Sequence, residues 1–286
     1  MRKFGWVGMS VVTFFMLVDR VNAFSISPTR FLVTANPNSQ QVVELVVAND
    51  EKVEKKFKIL IGGLKQEKNG ALLFEINSDQ AEVWVRPDRN EVSLAANTSA
   101  VIKFIISIPD GVSPGSHYLG LAAEEEAGTT TGSSLGGRLF SILTLRVAGE
   151  VVESVSIDKW IGPTIIMSSF WPLKLQINNN GSIDVPIESN VKISYGGKIL
   201  NNDDWILGNN LLTGSSRYVE KIFNPILLWP GRYDVQNKIT YGRSGQTVWA
   251  SCYVWYFPPW SIFGSLILFL AIILGYFKIR HGHVKN

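Results

Sequence analysis

The chain has 286 residues, of which 46% are hydrophobic and 18% are charged, and its formal net charge at pH 7 is +3. The positive charge lies at the two ends: without the three cations of residues 1–23, the three of residues 278–286 and Asp19, 21 Lys and Arg face 23 Asp and Glu. The sequence between the ends is not basic, which argues against nucleic-acid binding. The lone cysteine, Cys252, excludes an internal disulfide, so the fold must depend on its apolar core.

Residues 1–23 have the pattern of a secretory signal peptide. Two cations precede an apolar run from Trp6 to Val18, and Val21-Asn22-Ala23 offers a cleavage site before Phe24. The run is closer to the ~7 to 15 residues of a signal core than to the ~20 residues of a membrane span. We therefore expect residues 24 onward to be exported, with a first transmembrane helix as the alternative.

Residues 24–257 show the period of two that is typical of strands. In Val101 to Ile108 every second residue is a large apolar one, and Leu139 to Val147 repeats this pattern. Turn-forming residues separate such runs, no amphipathic helical pattern interrupts them, and Thr129 to Gly137 is typical of a flexible hairpin loop. The fold class is therefore predicted to be all-β. The other strand candidates are Val42 to Ala48, Lys56 to Ile61, Val83 to Arg86, Tyr118 to Ala122, Val151 to Asp158, Leu173 to Asn178, Val191 to Tyr195, Tyr218 to Phe223, Arg232 to Tyr241 and Thr247 to Tyr256.

A weak internal repeat divides this region. Each half has a strand that ends in asparagine and, later, a Pro-Gly pair before a tyrosine: Asn49 and Tyr118 in the first half, Asn179-Asn180 and Tyr233 in the second. We expect two tandem immunoglobulin-like β-sandwiches, residues 24–150 and 151–257, with about seven strands each. Both tyrosines resemble the one that buttresses a corner of immunoglobulin-like folds.

The uncharged stretch from Trp260 to Phe277 predicts a single transmembrane helix over residues 258–278. Eighteen residues at a rise of about 1.5 Å give about 27 Å, close to the thickness of a bilayer core. Aromatic residues flank the stretch, and Lys278 and Arg280 mark residues 279–286 as a basic cytoplasmic tail. The sandwiches are then extracellular or periplasmic. Pro258 and the proline after it are expected to stiffen the joint and hold the second domain against the lipid headgroups.

Residues that could carry catalysis are few. His117 is the only histidine before the tail, and Glu124 to Glu126 alternate between the faces of a strand. Asn201 to Asp204 lack the spacing of a calcium loop and are predicted to form a polar turn. We therefore predict no enzymatic activity, no cofactor and no metal site. Among the tryptophans, Trp205, expected in the loop after that turn, is the best candidate for a ligand contact, because flat rings stack on sugars and other planar faces.

Segments of the first domain carry a first resemblance. They are Phe24-Ser25-Ile26-Ser27-Pro28, Val43 to Asn49, Asn69-Gly70, Leu94 to Ile108 with Pro109, and Gly115 to Leu121. These segments look like the N-terminal domain of the WxL-interacting surface proteins of bacteria. The resemblance implies a membrane-anchored surface protein that binds peptidoglycan or another surface protein without catalysis.

A second resemblance gives the alternative. Ser27-Pro28-Thr29-Arg30 followed by Gln41 to Asn49, and Arg86-Pro87 before Val92 to Ile106, are similar to the first domain of PapD-like periplasmic chaperones. In that family an arginine near the position of Arg30 and a later lysine clamp the C-terminal carboxylate of a client, and an edge strand receives it by β-augmentation. The resemblance implies a membrane-tethered assembly chaperone or scaffold, although no lysine here matches the second clamp. The other expectation for Arg30 is a strand-edge charge paired with a nearby carboxylate.

Overall fold

The computed structural model describes residues 24–126, 137–168, 170–224 and 229–282, with the backbone alone for residue 205 and residues 277–282. Strands dominate these ranges, and a short 3₁₀ turn, Gln80–Trp84, and one long helix, α1 at Pro259–Gly282, accompany them. The prediction of an all-β fold with two tandem sandwiches and a C-terminal apolar helix is confirmed. The strands are β1 Phe24–Ser27, β2 Arg30–Ala35, β3 Gln40–Asn49, β4 Lys55–Gln66, β5 Leu72–Glu75, β6 Val85–Pro87, β7 Glu91–Leu94, β8 Thr98–Ser107, β9 Gly115–Glu125, β10 Arg138–Val147, β11 Val155–Ile161, β12 Ile165–Ile166, β13 Trp171–Asn179, β14 Ile187–Tyr195, β15 Lys198–Ile206, β16 Ser216–Phe223, β17 Gly231–Tyr241 and β18 Gln246–Tyr256.

Domain 1 is formed by the sheets β1-β3-β8-β6 and β2-β10-β9-β4-β5, with β7 also paired to β4. Alternate residues of these strands turn inward, and the core between the sheets includes fully buried Leu45, Phe57, Phe104, Leu119 and Leu143. The chain passes from one sheet to the other between β1 and β2. As a result, β2 lies parallel to β10 and forms the edge of the second sheet.

Domain 2 repeats the arrangement with the sheets β11-β13-β16 and β12-β18-β17-β14-β15. Its short β12 lies parallel to β18, as β2 lies parallel to β10 in domain 1. The core is aromatic at one end, where the buried ring of Trp171 stands edge-on to Tyr233 with centroids 5.4 Å apart. The Tyr233 hydroxyl donates to the Trp229 carbonyl oxygen at 2.7 Å, so this residue is a corner tyrosine as predicted.

The predicted polar turn at Asn201 to Asp204 is wrong. These residues belong to β15, which pairs with β14 along Glu188–Tyr195 and includes Trp205, so the loop predicted for Trp205 is wrong too. The strand keeps its polar residues in contact with other polar groups: Asn190 donates to the Asn202 side-chain oxygen at 2.9 Å. Within the described ranges no group of His, Cys, Asp and Glu residues could hold a metal ion.

Helix α1 follows the last strand directly and is exposed on all sides in its apolar part. Its Pro259–Tyr276 segment is the one helix in the described part of the chain that is long and apolar enough to cross a membrane. The predicted signal peptide, residues 129–136 of the predicted hairpin loop, and the side chains of Phe277, Lys278 and Arg280 lie outside what the structure describes.

Candidate functional site

The two domains meet where one end of domain 2 contacts the outward face of the β2-β10-β9-β4-β5 sheet. The side-chain amide of Gln66 joins them twice: it donates to the Asn210 carbonyl oxygen at 3.0 Å and accepts from the Leu212 N–H at 3.1 Å. Close by, the Tyr218 N–H donates to the Lys68 carbonyl oxygen at 2.8 Å, which places the β4–β5 hairpin against the edge of β16. These three hydrogen bonds hold domain 2 against the sheet.

A buried carboxylate forms the centre of this junction. Asp184 of domain 2 accepts from the Arg146 guanidinium at 2.9 Å and from the Asn210 amide at 2.6 Å, and its side chain is only 8% exposed. Burial by itself would raise the pKa of Asp184, but the hydrogen bonds from Asn210 and Arg146 and the charge of Arg146 hold it below its ordinary value. The ionised carboxylate therefore links β10 of domain 1 to domain 2.

Arg30 lies at a cleft of about 210 Å³ between the two domains. It is the first residue of β2 and is exposed, and among the described residues no ion pair includes it. Asp184 lines the same cleft but is held by Arg146. The structure therefore does not give Arg30 the carboxylate partner that was the second expectation for it. The lining includes Leu64, Gln66, Leu72, Tyr118, Ile142 and Thr144.

Tyr118 lines this cleft and also a larger groove of about 1020 Å³ that has Gln66 in its lining. The side chain is 5% exposed, and its hydroxyl has no hydrogen-bond partner within the described part of the chain. Burial and the negative charge of Asp184 raise the pKa of Tyr118 well above its ordinary value. The lining of the cleft thus includes a neutral, buried hydroxyl close to the Asp184 carboxylate.

Tyr118 is not the corner tyrosine that was predicted. It lies three residues after Gly115, whereas Tyr233 lies two residues after Gly231. Because side chains alternate along a strand, this difference of one residue turns the two tyrosines to opposite faces of their sheets. His117 takes the inward position, where it packs edge-on against Trp84 with centroids 4.8 Å apart.

The lysine of the chaperone clamp has no counterpart on β10. Arg30 pairs in register with Ile142, and the next β10 residue in the cleft lining is Thr144. The cleft therefore offers one guanidinium together with the hydroxyls of Tyr118 and Thr144. This set can bind a carboxylate, but it supplies one positive charge, whereas the arginine and lysine of the chaperone clamp supply two.

An open stretch of backbone begins beside Arg30. Strand β10 pairs with β9 over its whole length, but β2 covers it only from Ile142 onward, so among the described strands residues 138–141 have no neighbour on that side. The Ile142 N–H points to the β2 side, where it donates to the Thr29 carbonyl oxygen at 3.0 Å. Since these groups alternate along a strand, the N–H and C=O of Phe140 face the same side, where no described strand is paired with them although β1 packs close to β10. We call residues 138–141, which lack a paired strand on that side, the open edge.

The open edge is supported from outside the sheet by Phe74. Its ring centroid lies 5.7 Å from that of Phe140, and the Arg138 guanidinium lies 5.1 Å from the Phe74 centroid. The ring lies over two glycines: a Cβ added at Gly120 would be 2.4 Å from a Phe74 ring carbon, and one at Gly62 would be 2.7 Å away. Glycine is required at these positions for Phe74 to pack flat on the sheet.

The other residues considered from the sequence lie elsewhere. Trp205 pairs with Ser189 in the outer strand of domain 2, and its side chain is not among those the structure describes. Trp260 is exposed at the start of α1. Two glutamates at the end of β9 and one just after it are all engaged in ion pairs with Lys or Arg, which are Glu124–Arg138, Glu125–Lys55 and Glu126–Lys58. Asp184 and Gln66 had no sequence signal, because a polar residue at a domain junction looks like any surface residue.

No protein-family model matches this sequence, and no curated protein matches it. Solved structures that are similar to it include the class 5 fimbriae chaperone CfaA, with 13% identity over 82% of this chain and 100% of that chain, at a TM-score of 0.46. Another is a chain of the CsuC–CsuE chaperone and tip adhesion subunit complex of Acinetobacter baumannii, with 16% identity over 80% and 97% of the two chains and a TM-score of 0.41. A third comes from the Salmonella enterica complex of the SafA pilin with the SafB chaperone, with 11% identity over 83% and 98% and a TM-score of 0.38. These solved structures are, or contain, fimbrial or pilus chaperones. The resemblance to WxL-interacting surface proteins is not shown.

Proposed function

We propose that this protein is a non-enzymatic, membrane-tethered assembly chaperone or scaffold that holds a partner protein by β-strand addition. The observation that carries the proposal is the position of Arg30, an arginine without an ion-pair partner in the described structure, directly beside the open edge of β10. A chain terminus needs a positive charge at its carboxylate and backbone partners along its last strand. Both are found side by side here, on the neighbouring strands β2 and β10.

The partner's terminal carboxylate would bind the Arg30 guanidinium and accept from the Tyr118 hydroxyl. The preceding residues of the partner would then pair with Phe140, whose backbone N–H and C=O point to the open side of β10. From Ile142 to Arg138 the strand extends about 13 Å. That length allows a few backbone hydrogen bonds, which are sequence-independent, so a specific partner would be selected by its side chains against Phe140 and Phe74.

The network around Asp184 would hold the angle between the domains, and thereby the shape of the cleft, before a partner arrives. Helix α1 would keep both sandwiches at the outer surface of the cell membrane, facing the periplasm or the cell exterior. Because the cleft would bind a C-terminal carboxylate on the outer side of the membrane, the partner would be an exported protein subunit. Peptidoglycan binding, implied by the first resemblance, stays a prediction.

The proposal is tested by photo-crosslinking in the source organism. The photoreactive residue p-benzoylphenylalanine replaces Phe140 in the full-length protein, and we expect it to capture one protein in the envelope fraction. Changing Arg30→Ala in the same background is expected to abolish capture. Arg86→Ala is the matched control, because Arg86 is also an exposed strand arginine without an ion pair in the described structure.

Two results would contradict the proposal. Capture that is equally strong in the Arg30→Ala and Arg86→Ala proteins would remove the role of the cleft. Saturable sedimentation of the purified protein with insoluble peptidoglycan, unchanged by Arg30→Ala and without any captured protein, would instead favour wall binding.

A further inference from the structure

The end of domain 2 from which α1 leaves is apolar on its outer surface. Exposed large side chains from separate segments meet there, with exposed fractions of 56% for Met167, 61% for Phe170 and 61% for Trp229. We call this set the apolar collar; it consists of Met167, Phe170, Trp229, Trp255, Phe257 and Trp260.

Strand register places these segments at one end of the sandwich. Tyr256, near the end of β18, pairs with Gly231 at the start of β17, and Trp255 pairs with Ile165 of β12. Trp171, the first residue of β13, lies at the same end, because its ring packs edge-on against Tyr233 in the core below. The opposite end of domain 2 carries the junction with domain 1.

The collar is held close to the start of α1. The Phe257 N–H donates to the Ile166 carbonyl oxygen at 2.9 Å, so the sheet ends only two residues before the helix begins at Pro259. Trp260, in the first turn of the helix, lies 6.4 Å from Trp229 between ring centroids. Two residues extend at most about 7 Å, so the collar lies at whatever surface the helix enters.

The composition of the collar suits a lipid interface. No charged residue occurs in residues 160–173 or in residues 253–277. Tryptophan is favoured at the headgroup level, because its ring is apolar and its N–H is polar. Phenylalanine and methionine supply apolar surface that can be buried at the boundary with the acyl chains. The nearest strand cation, Arg232, is paired across the sheet with Trp255, at a height where lipid phosphates would lie.

We infer that the apolar collar is inserted in the interfacial layer of the bilayer that α1 enters, so that domain 2 is bound to lipid through its own loops as well as through the helix. This rests on α1 being the membrane tether of the proposed function. Insertion at several points around the helix fixes the tilt of domain 2. It therefore fixes the direction in which the interdomain cleft opens.

Spin labels on the full-length protein in phosphatidylcholine and phosphatidylglycerol vesicles test this inference. Single cysteines are introduced as Met167→Cys and Phe170→Cys in a Cys252→Ala background, and collisions with oxygen and with a water-soluble nickel complex are measured. Ile206→Cys is the control at the opposite end of domain 2, because Ile206 is 71% exposed. Leu268→Cys reports whether the middle of α1 is in the bilayer.

We expect both collar labels to lose access to the nickel complex and gain access to oxygen relative to Ile206→Cys. The inference is overturned if the collar labels are as accessible to the nickel complex as the Ile206→Cys label. If the Leu268→Cys label is at the same time buried in the bilayer, α1 is still the membrane tether and only the insertion of the collar is wrong. Protection from both reagents would also overturn it, because a protein and not lipid would cover the collar. An aqueous label at Leu268→Cys would show that the tether itself is wrong.

Discussion

Asn49 and Asn179 make the same set of hydrogen bonds at the same place in the two domains. Each ends its strand, each is 1% exposed, and each accepts from the N–H two residues later, at 3.0 Å from Glu51 and 2.8 Å from Gly181. Each side-chain amide also donates at 2.8 Å to the carbonyl oxygen four residues later. A second donation reaches across the domain, to Leu94 in the first and to Leu211 in the second.

Replacing either asparagine is expected to destabilise its own domain. Asn49→Ala and Asn179→Ala each leave buried carbonyl oxygens without a donor, and we expect a loss of about 3 kcal/mol in the free energy of unfolding. Chemical denaturation of the detergent-solubilised protein measures this. Asn202→Ala, on the surface of β15, is the control and is expected to change stability by less than about 0.5 kcal/mol.

Asn49 and Asn179 also show which parts of the fold could be predicted from the sequence. The repeat was visible as two strands ending in asparagine, but the equivalent of Asn49 could have been either residue of Asn179-Asn180, since only the buried hydrogen bonds distinguish them. Long strands such as β8 and β17 were predictable because their alternation covers many residues. The short strands β1, β2, β5, β7 and β12 have too few residues for a period to appear.

The site was harder to predict than the fold. Arg30 was identified through the resemblance to PapD-like chaperones, and the structure adds a cleft beside it. Tyr118 was noticed for the wrong reason, because a Pro-Gly pair before a tyrosine does not show on which face of the strand the ring will lie. Asp184 and Gln66 acquire their roles only when the two domains meet.

The junction is expected to weaken in acid. Because the pKa of Asp184 is lower in the folded protein than in the unfolded chain, its contribution is fully present above about pH 4 and is lost as the pH falls through the folded-state value. At pH 7, Asp184→Asn should cost about 2 kcal/mol, and this difference from the wild type should shrink below pH 4. Denaturation at several pH values measures it. Asp234→Asn, in an exposed pair with Arg232, should show no such loss.

The packing of Phe74 is expected to depend on Gly120. Gly120→Ala places a methyl group 2.4 Å from the ring, so the ring must move away from the sheet. We expect a loss of about 2 kcal/mol in stability and a weaker capture of a partner at Phe140. Gly264→Ala, in α1 and away from the cleft, is the control, since a Cβ there meets no atom within 4 Å. If the two variants were equally stable, the contact between Phe74 and the sheet would be of no consequence.

The hydroxyl of Tyr118 is expected to matter for binding and not for stability. Tyr118→Phe removes a buried hydroxyl that has no partner in the described structure, so stability should stay the same or rise by up to about 1 kcal/mol. Affinity for a peptide with a free C-terminal carboxylate should fall about fivefold, as measured by titration calorimetry. Tyr233→Phe is the converse control: it loses the bond to Trp229 and should reduce stability while leaving affinity unchanged.

Cys252 is expected to be unreactive in the folded protein. Burial raises the pKa of its thiol to about 12, so at pH 8 it has on the order of a thousandfold less thiolate than an ordinary cysteine. Alkylation with iodoacetamide, followed by mass spectrometry, should be slow until the protein is unfolded. Ser251→Cys with Cys252→Ala, which exposes a thiol one residue away, should react quickly. Fast alkylation of the native thiol would show that β18 opens readily.

Because β18 leads directly into α1, it also limits the distance between the membrane and the proposed binding cleft. Strand β18 has 11 residues, Gln246–Tyr256, which at about 3.3 Å per residue gives a length of about 36 Å. The cleft beside Arg30 lies at the junction beyond the far end of this strand, so in the proposed membrane-tethered protein it would stand roughly one sandwich length above the lipid surface. A partner emerging from a translocation pore in the same membrane would reach it within a dozen extended residues, whereas one released into the medium would first have to return to the surface.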